Sequence, residues 1–294
     1  MTRPRVVTIG DLFTDVITEL STSLRHGDDT RARISTHGGG ATANTAVWLA
    51  EQGVPVGVVA RVGNDAWGRA AIEMLGNHLI TIHEVLDPDH ATGTCVVLVD
   101  TDGERSMASD SGASAYLSAD DLPRDWFIPG GHLHLSGYSL AQPVSRQGVK
   151  AAVALAQAAH MTVSLDPGSI TTVESVGLAE FLSDVRGFDL LFPNDDEAMA
   201  LTGARSPEAA ARALAAATHE VVVKLGPDGA LWSDGQRVEH VAADSVAVVD
   251  TTGAGDAFAA GFLAAWLADR EPVPALQRGA AVAARCVQRV GARP

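Results

Sequence analysis

The sequence alternates between short apolar runs and longer stretches with helical periodicity. A strand followed by a helix and another strand usually forms a right-handed crossover between parallel strands. The pattern therefore predicts an α/β fold, a doubly wound, mainly parallel sheet with helices on both faces. The predicted strands are Arg5–Ile9, Val56–Ala60, His132–Leu135, Thr162–Leu165, Leu190–Phe192 and Val221–Lys224. The predicted helices are Thr42–Gln52, Trp67–Asn77, Val144–His160, Asp195–Leu201 and Pro207–Thr218.

Two segments break this alternation and show the period-two pattern of hairpins. One pairs Val16–Leu20 with Ala32–Thr36, and the other pairs Thr94–Asp100 with Arg105–Ser109. Together they predict a small four-stranded β lid, although the pattern alone is equally compatible with an extension of the main sheet. With a lid, the α/β domain comprises residues 1–12, 38–91 and 112–294, and the discontinuous lid comprises residues 13–37 and 92–111.

A polar turn, Gly253-Ala254-Gly255-Asp256, follows an apolar run and leads into an Ala-rich helix. Backbone N–H groups at a helix N-terminus can bind an anion, and the helix dipole favours negative charge there. A carboxylate beside such an anion hole suits phosphoryl transfer, with Asp256 as the base for an acceptor hydroxyl and the three preceding amides as donors. The alternative is that Asp256 only caps the helix.

Charge and cysteine content narrow the classes of partner. The net charge of −15 argues against nucleic acid and acidic membrane surfaces as general partners. The N-terminal residues lack the long apolar run of a signal peptide, and no stretch is apolar enough to span a membrane. Cys95 and Cys286 have no metal-type spacing and fit a reducing compartment, so we expect a cytoplasmic protein.

A second glycine cluster, Gly38-Gly39-Gly40, precedes a helix that carries Asn44. The cluster formally matches a dinucleotide-binding pattern, but a polar hairpin-like segment separates it from the first strand, so we reject that function. Asn44 can offer both a donor and an acceptor to a polyol. Asp11 and Asp15 follow the first strand, where their carboxylates either bind sugar hydroxyls or serve as ordinary turn residues.

Two later turns also lie at predicted strand ends. Asn194 and Glu197 have the spacing of a capping box, and they could instead serve nucleotide phosphates and the hydration shell of Mg²⁺. Lys224, Gly226 and Gly229 belong to a strand-turn-strand segment over which a nucleotide could lie, with Lys224 near phosphate. A plain hairpin explains this segment equally well.

In this order and spacing, the blocks resemble the ribokinase-like (PfkB) family of carbohydrate kinases. The most specific match is Asp250–Phe258, the second is Gly39-Gly40 with Asn44, and the resemblance extends over effectively the whole chain. It implies a doubly wound domain with a β lid. It also implies ATP-dependent phosphorylation of a hydroxyl, expected to be primary, on a sugar or sugar-like molecule, with Asp256 as general base and Gly253–Gly255 as anion hole.

The resemblance also implies roles for other residues. Asp15, Gly39, Gly40 and Asn44 would hold the sugar, together with the candidates Asp11 and Ser136. Asn194, Lys224, Gly226 and Gly229 would bind the nucleotide, and Glu197 would contact Mg²⁺ through water. A monovalent cation, K⁺, would bind mostly through backbone carbonyls of Asp250, Thr252, Cys286, Arg289 and Gly291.

Departures from the family pattern leave the acceptor open. Ala41 replaces a Lys of true ribokinases, Ser136 replaces a Glu, and Gly168-Ser169-Ile170 lacks the Arg of relatives that act on fructose or keto-acid sugars. Phe13, Trp48 and Tyr138 could offer aromatic faces to a nucleobase, so a nucleoside kinase is the alternative. A non-catalytic sugar-binding regulatory protein is a third possibility. Exposed lid edges favour a homodimer through the lid.

Overall fold

The computed structural model describes residues 3–76, 78, 80–102 and 104–294. Its strands are β1 Val6–Ile9, β2 Phe13–Leu20, β3 Ala32–Gly39, β4 Val56–Gly63, β5 Thr81–Asp87, β6 Thr94–Val99, β7 Arg105–Asp110, β8 His132–Ser136, β9 Thr162–Asp166, β10 Leu190–Leu191, β11 Glu220–Lys224, β12 Ala230–Ser233 and β13 Val238–Val241. Its helices are α1 Ala41–Glu51, α2 Ala66–Gly76, α3 Pro143–Ala158, α4 Ile170–Val176, α5 Leu178–Asp184, α6 Asp195–Thr202, α7 Pro207–Leu214, α8 Ala254–Asp269 and α9 Pro272–Cys286.

Nine strands form one large sheet in the order β13-β12-β11-β10-β9-β8-β1-β4-β5. The strands from β11 to β5 in this order pair in parallel, and β12 and β13 add antiparallel pairs at one edge. The predicted doubly wound, mainly parallel sheet is therefore confirmed. Parallel pairing brings the carboxyl ends of the strands to one edge, where ligands bind in such sheets.

Apolar side chains on the two faces of the sheet form two cores. In β1, Val6 packs with the helices α1, α8 and α9, and Val7 packs on the opposite face with α3 and α5–α7. Both valines are fully buried, as expected for a central parallel strand covered on both faces. Trp48 and Trp266 are fully buried in the first core, and Phe181 is fully buried in the second.

The two hairpins form a separate four-stranded sheet in the order β3-β2-β6-β7, so the alternative that they extend the main sheet is wrong. The strands β2 and β3 pair antiparallel, as do β6 and β7, and the parallel pair β2–β6 joins the hairpins. Register places Asp15 opposite His37 and Cys95. The lid strands β2 and β3 lead directly into the site because they connect β1 to α1 in the chain.

Several element boundaries differ from those predicted. Helix α7 ends at Leu214 instead of Thr218, because the N–H groups of Ala216 and Ala217 donate to carbonyls three residues back and Ala217 O accepts from Gly187 N. The short helices α4 and α5 were not predicted; Gly177, with φ 91°, separates them. Asn77, the predicted end of α2, and Gly103, in the predicted lid turn, lie outside the described residues. None of the helices in the described part of the chain is long and apolar enough to cross a membrane.

Candidate active site

The turn before α8 lies at the carboxyl edge of the sheet. Gly253 precedes the helix with φ 74°, and a Cβ there would collide with Ala292, so this position requires glycine. Among the described residues, the N–H groups of Gly253 and Gly255 have no hydrogen-bond acceptor. The N–H of Ala254, however, donates to Thr251 O at 3.2 Å, so the expectation of three free amides holds for two. The turn thus presents two unpaired N–H groups at the positive end of a 16-residue helix.

Asp256 lies in the first turn of α8 and accepts a hydrogen bond from Asn44 Nδ2 at 2.9 Å. Burial raises the pKa of its carboxyl to about 7, with Asp166 acting in the same direction. The Asn44 bond and Lys224 oppose the rise. A carboxylate with this pKa is well matched to accept a proton near neutral pH.

The residues expected to hold the sugar meet beside Asp256. A Cβ on Gly39 would collide with the Asp15 carboxylate, and one on Gly40, with φ 92°, would collide with Asp11 O. The backbone of the glycine cluster therefore packs directly on both aspartates, which explains why the positions lack side chains. Burial raises the pKa of Asp11 to about 7 and that of Asp15 to about 6, the latter opposed by Arg293.

A buried ion pair lies on the other side of Asp256. Lys224, at the end of β11, pairs with Asp166, at the end of β9. A Cβ placed on Gly255 would lie 3.2 Å from Lys224 Nζ, so the ammonium group adjoins the glycine turn before α8. Burial lowers the pKa of Lys224, but the charges of Asp166 and Glu197 outweigh burial and hold this pKa above its usual value. Asp166 was not predicted, although its place at a strand end was a usable signal.

The capping box before α6 is formed. Asn194 Oδ1 accepts from Glu197 N, and Glu197 Oε2 accepts from Asn194 N, both at 2.8 Å. Glu197 is buried, which raises the pKa of its carboxyl to about 7 while Lys224 opposes the rise. The next turn is a hairpin bend in which Leu225 N donates to Gly229 O, and Gly226 and Gly229 have φ of 57° and 95°.

An arginine of the lid reaches the residues of the expected cation site. Arg105 Nη1 contacts Asp250 Oδ1 at 2.5 Å and Thr252 Oγ1 at 2.7 Å. Asp250 also accepts from the N–H groups of Thr252 at 2.6 Å and Gly291 at 2.8 Å, and Cys286 Sγ lies 3.5 Å from Thr252 O. No sequence pattern marks Arg105, because the contact joins a lid strand to the turn before α8, 147 positions away. Arg289 is exposed and its N–H donates to Cys286 O.

A second arginine, Arg293, enters the site from the C-terminal segment. Its Nε donates to Asn44 Oδ1 at 2.9 Å and its Nη2 donates to Gly39 O at 2.6 Å. Burial lowers the pKa of Arg293 to about 10, opposed by Asp15 and Asp256. Arg293 was not predicted as a site residue. In the structure Gly38 makes room for it, because a Cβ there would collide with Arg293 Nη1.

Other candidate residues have different surroundings. Ser136 is buried and its hydroxyl accepts from Tyr138 N at 3.3 Å. Trp48 is fully buried and its indole donates to Ala292 O, so the expectation that it could stack on a nucleobase is wrong. Phe13 packs on Gly93. Tyr138 is 41% exposed and its hydroxyl donates to Gly168 O at 3.0 Å.

A doubly wound sheet with a β lid, and a carboxylate beside free amides at its carboxyl edge, defines a ribokinase-like protein. The pfkB family carbohydrate kinase pattern matches residues 3–294, and the chain belongs to that family. It is 30% identical to ribokinase from Arabidopsis thaliana over 99% of this chain and 78% of the relative.

Solved structures agree with this family membership. Adenosine kinase from Sinorhizobium meliloti has a TM-score of 0.89 at 25% identity and covers 100% of this chain and 96% of its own. A putative ribokinase II from E. coli, in complex with ATP and Mg²⁺, has a TM-score of 0.86 at 26% identity and covers 98% and 94%. The protein is therefore a carbohydrate kinase, a phosphotransferase of the ribokinase-like fold.

Proposed function

We propose that this kinase transfers the γ-phosphoryl group of ATP to a hydroxyl of a sugar or sugar-like acceptor, with Asp256 as the general base. The observation that carries the proposal is the carboxylate of Asp256, with a pKa of about 7, next to the N–H groups of Gly253 and Gly255, which have no acceptor within the described part of the chain. The acceptor oxygen loses its proton to Asp256 and forms a bond to phosphorus, while the bond from phosphorus to the bridging oxygen of ADP breaks. The two amides and Lys224 stabilise charge on the moving group.

The acceptor would lie between Asp11, Asp15 and the glycine cluster. Carboxylates and backbone carbonyls accept hydrogen bonds from sugar hydroxyls, which suits a neutral polyol in this acidic cleft. Ala41 and Ser136 supply no charged group at the positions where ribokinases carry Lys and Glu, so the acceptor would be held without those two charges. Asn194, Gly226 and Gly229 would adjoin the nucleotide.

Mg²⁺ would be held by the nucleotide phosphates and by water molecules that donate hydrogen bonds to the Glu197 carboxylate. One Glu197 oxygen is used by Asn194 N, and the other has no hydrogen-bond partner among the described residues, which fits an outer-shell role. The ion would supply neutralisation of phosphate charge. K⁺ would have to use backbone carbonyls of residues 250, 252, 286, 289 and 291, because the Asp250 carboxylate is already bound by Arg105 and two amides.

A nucleoside acceptor is the second candidate. The half-exposed ring of Tyr138 at the cleft, together with the similarity to an adenosine kinase, favours it. A screen of ADP release with Mg²⁺-ATP over pentoses, hexoses, polyols and nucleosides distinguishes a sugar kinase from a nucleoside kinase. Turnover with a free sugar and with none of adenosine, inosine or cytidine excludes the nucleoside kinase. Tight sugar binding with no ADP release across the panel would instead support a non-catalytic regulatory protein.

The lid would also form a homodimer. On its outer face Ile34 is 64% exposed and Val96 is 37% exposed, and each of the edge strands β3 and β7 pairs with only one other strand among the described residues. A second lid packed on this face would bury the two side chains, and pairing of its edge strand with β3 or β7 would satisfy the open backbone groups. Light scattering is expected to give the mass of two chains, and a monomer at micromolar concentration would refute this arrangement.

A further inference from the structure

Arg293 joins two groups of the candidate acceptor site. Its guanidinium donates to the side-chain oxygen of Asn44 and to the carbonyl of Gly39, while Asn44 Nδ2 donates to Asp256 Oδ2. The three side chains therefore form a continuous chain of hydrogen bonds, with both intervening distances at 2.9 Å. This chain connects the C-terminal segment, α1 and α8, elements that are distant in sequence.

The chemistry of arginine determines which way the Asn44 amide points. A guanidinium has only donors, so the amide group that faces it must be the oxygen. The NH₂ group must then face Asp256, which accepts it with Oδ2. Without a donor at this place, the amide could turn over and present its oxygen to the carboxylate, which is repulsive while Asp256 is ionised.

The surroundings make room for Arg293 at a cost. Its Nη1 is buried with no hydrogen-bond partner among the described residues, and such groups are rare in native proteins. Gly38 provides the space, because any Cβ there would collide with the guanidinium. The guanidinium therefore occupies a tight, buried place beside Asn44 and Gly39.

We propose that Arg293 is a positioning residue for phosphoryl transfer, which fixes the Asn44 amide so that Nδ2 donates to Asp256 Oδ2 and leaves Oδ1 to receive the acceptor proton. This inference rests on the proposed function in taking Asp256 as the base. Arg293 acts through Asn44 and also contributes a positive charge next to two carboxylates, Asp15 and Asp256.

Loss of Arg293 has a predictable effect on the protonation of Asp256. The charged and titratable groups that act on or respond to Asp256 from the surrounding elements are Asp11, Tyr138, Asp166, Lys224, Cys286 and Arg293. Removing the cation and loosening the Asn44 bond both favour the protonated carboxyl, so the pKa of Asp256 rises above about 7. A merely structural role would lower activity equally at every pH.

The test compares Arg293→Met and Arg293→Lys with the wild-type kinase, using kcat and KM between pH 5.5 and 9 with the acceptor found by the screen. Arg278→Met, an exposed arginine of α9, is the matched control because it removes the same charge. We expect Arg293→Met to lower kcat by roughly 10- to 100-fold and to move the acid limb up by about 1 pH unit. Arg293→Lys should recover part of both effects, and Arg278→Met should change neither.

A double-mutant cycle with Asn44→Ala isolates the proposed route. If Arg293 acts through Asn44, adding Arg293→Met to Asn44→Ala should lower kcat less than about threefold, far below its effect in the wild type. Additive losses, or an unchanged acid limb, would overturn the proposal. If Arg293→Met does not fold, Arg293→Lys is compared in the same way, in the wild-type and Asn44→Ala backgrounds.

Carboxyl ¹³C NMR titration keeps this inference separate from the proposed function. The Asp256 resonance, assigned by its loss in Asp256→Asn, should titrate at higher pH in Arg293→Met than in wild type. This readout needs no substrate. An unshifted titration refutes the role of Arg293, whereas absence of turnover in the wild type with a shifted titration refutes only the proposed function.

Discussion

Removing Lys224 tests the buried ion pair that adjoins the proposed anion hole. Lys224→Met keeps the aliphatic stem but leaves the Asp166 carboxylate without its cation, in a place where the Lys and Asp side chains are only 16% and 9% exposed. Breaking a buried pair from one side destabilises a protein by about 3–5 kcal/mol. Because Asp166 retains the N–H of Gly168 at 3.0 Å, we expect the lower end, about 3 kcal/mol.

The double variant Lys224→Met with Asp166→Asn separates stability from catalysis. It removes both charges, so its free energy of unfolding in urea should return to within about 1 kcal/mol of wild type. Its turnover should stay reduced by roughly 10²–10³-fold, the effect of losing one charge-stabilising group. Lys150→Met, which breaks the more exposed pair with Asp184, is the control and should cost about 1 kcal/mol or less with normal turnover.

Two outcomes would refute this reasoning. If the single variant loses less than 1 kcal/mol, the pair is not buried as the structure describes. If the double variant recovers turnover together with stability, Lys224 is only a structural partner of Asp166 and has no part in phosphoryl transfer.

Three further predictions follow from the same site. Arg105→Met should speed hydrogen exchange in lid residues 94–99 and 105–110 and lower kcat/KM about tenfold, because it removes the contacts to Asp250 and Thr252. Arg33→Met, on the exposed lid edge, is the control, and equal exchange rates in the two variants would contradict the role of Arg105. The acid limb of kcat/KM should fall tenfold per pH unit below about 7, where Asp256 takes up its proton, and a limb near pH 4 would contradict this. Burial raises the pKa of Asp256 in the folded state to about 7 from its ordinary value of 3.8, so ionisation of this carboxyl weakens the fold as pH rises from about 4 to about 7. Asp256→Asn should therefore stabilise the protein by about 1–3 kcal/mol at pH 8 and by less at pH 5, as measured by urea unfolding. Equal gains at both pH values would refute the burial argument.

Much of the fold could be predicted from local pattern. The alternation of strands and helices gave the parallel sheet, because each apolar run is buried on both faces and each helix covers one of them. Period-two patterning gave the lid strands, but not whether they form their own sheet, since that depends on the pairing of β2 with β6 across 80 residues of chain. The helices α4 and α5 were missed because each is only seven residues long.

The site was predictable where a single segment carries its chemistry. The turn from Gly253 to Asp256 shows its carboxylate and glycines in sequence. Arg105 and Arg293 could not be found in this way, because their importance depends on partners 145 and 249 positions away. Asp166 showed only its place at a strand end, since its partner Lys224 lies 58 positions away. The prediction for Trp48 was wrong although its position was visible in the sequence. An aromatic residue on a helix after a glycine cluster is compatible with a binding face and with a core, and in the structure Trp48 is fully buried in the core.

The turnover of Asp256→Asn tests the central claim most directly. The substitution keeps the size of the side chain and an oxygen that can accept from Asn44, and it removes the negative charge together with the capacity to take the acceptor proton. With the acceptor identified by the ADP-release screen, and with an unfolding transition confirming that the variant is folded, we predict that kcat falls by roughly 10²–10⁴-fold. A kcat within threefold of wild type at pH 8 would contradict the assignment of Asp256 as the base.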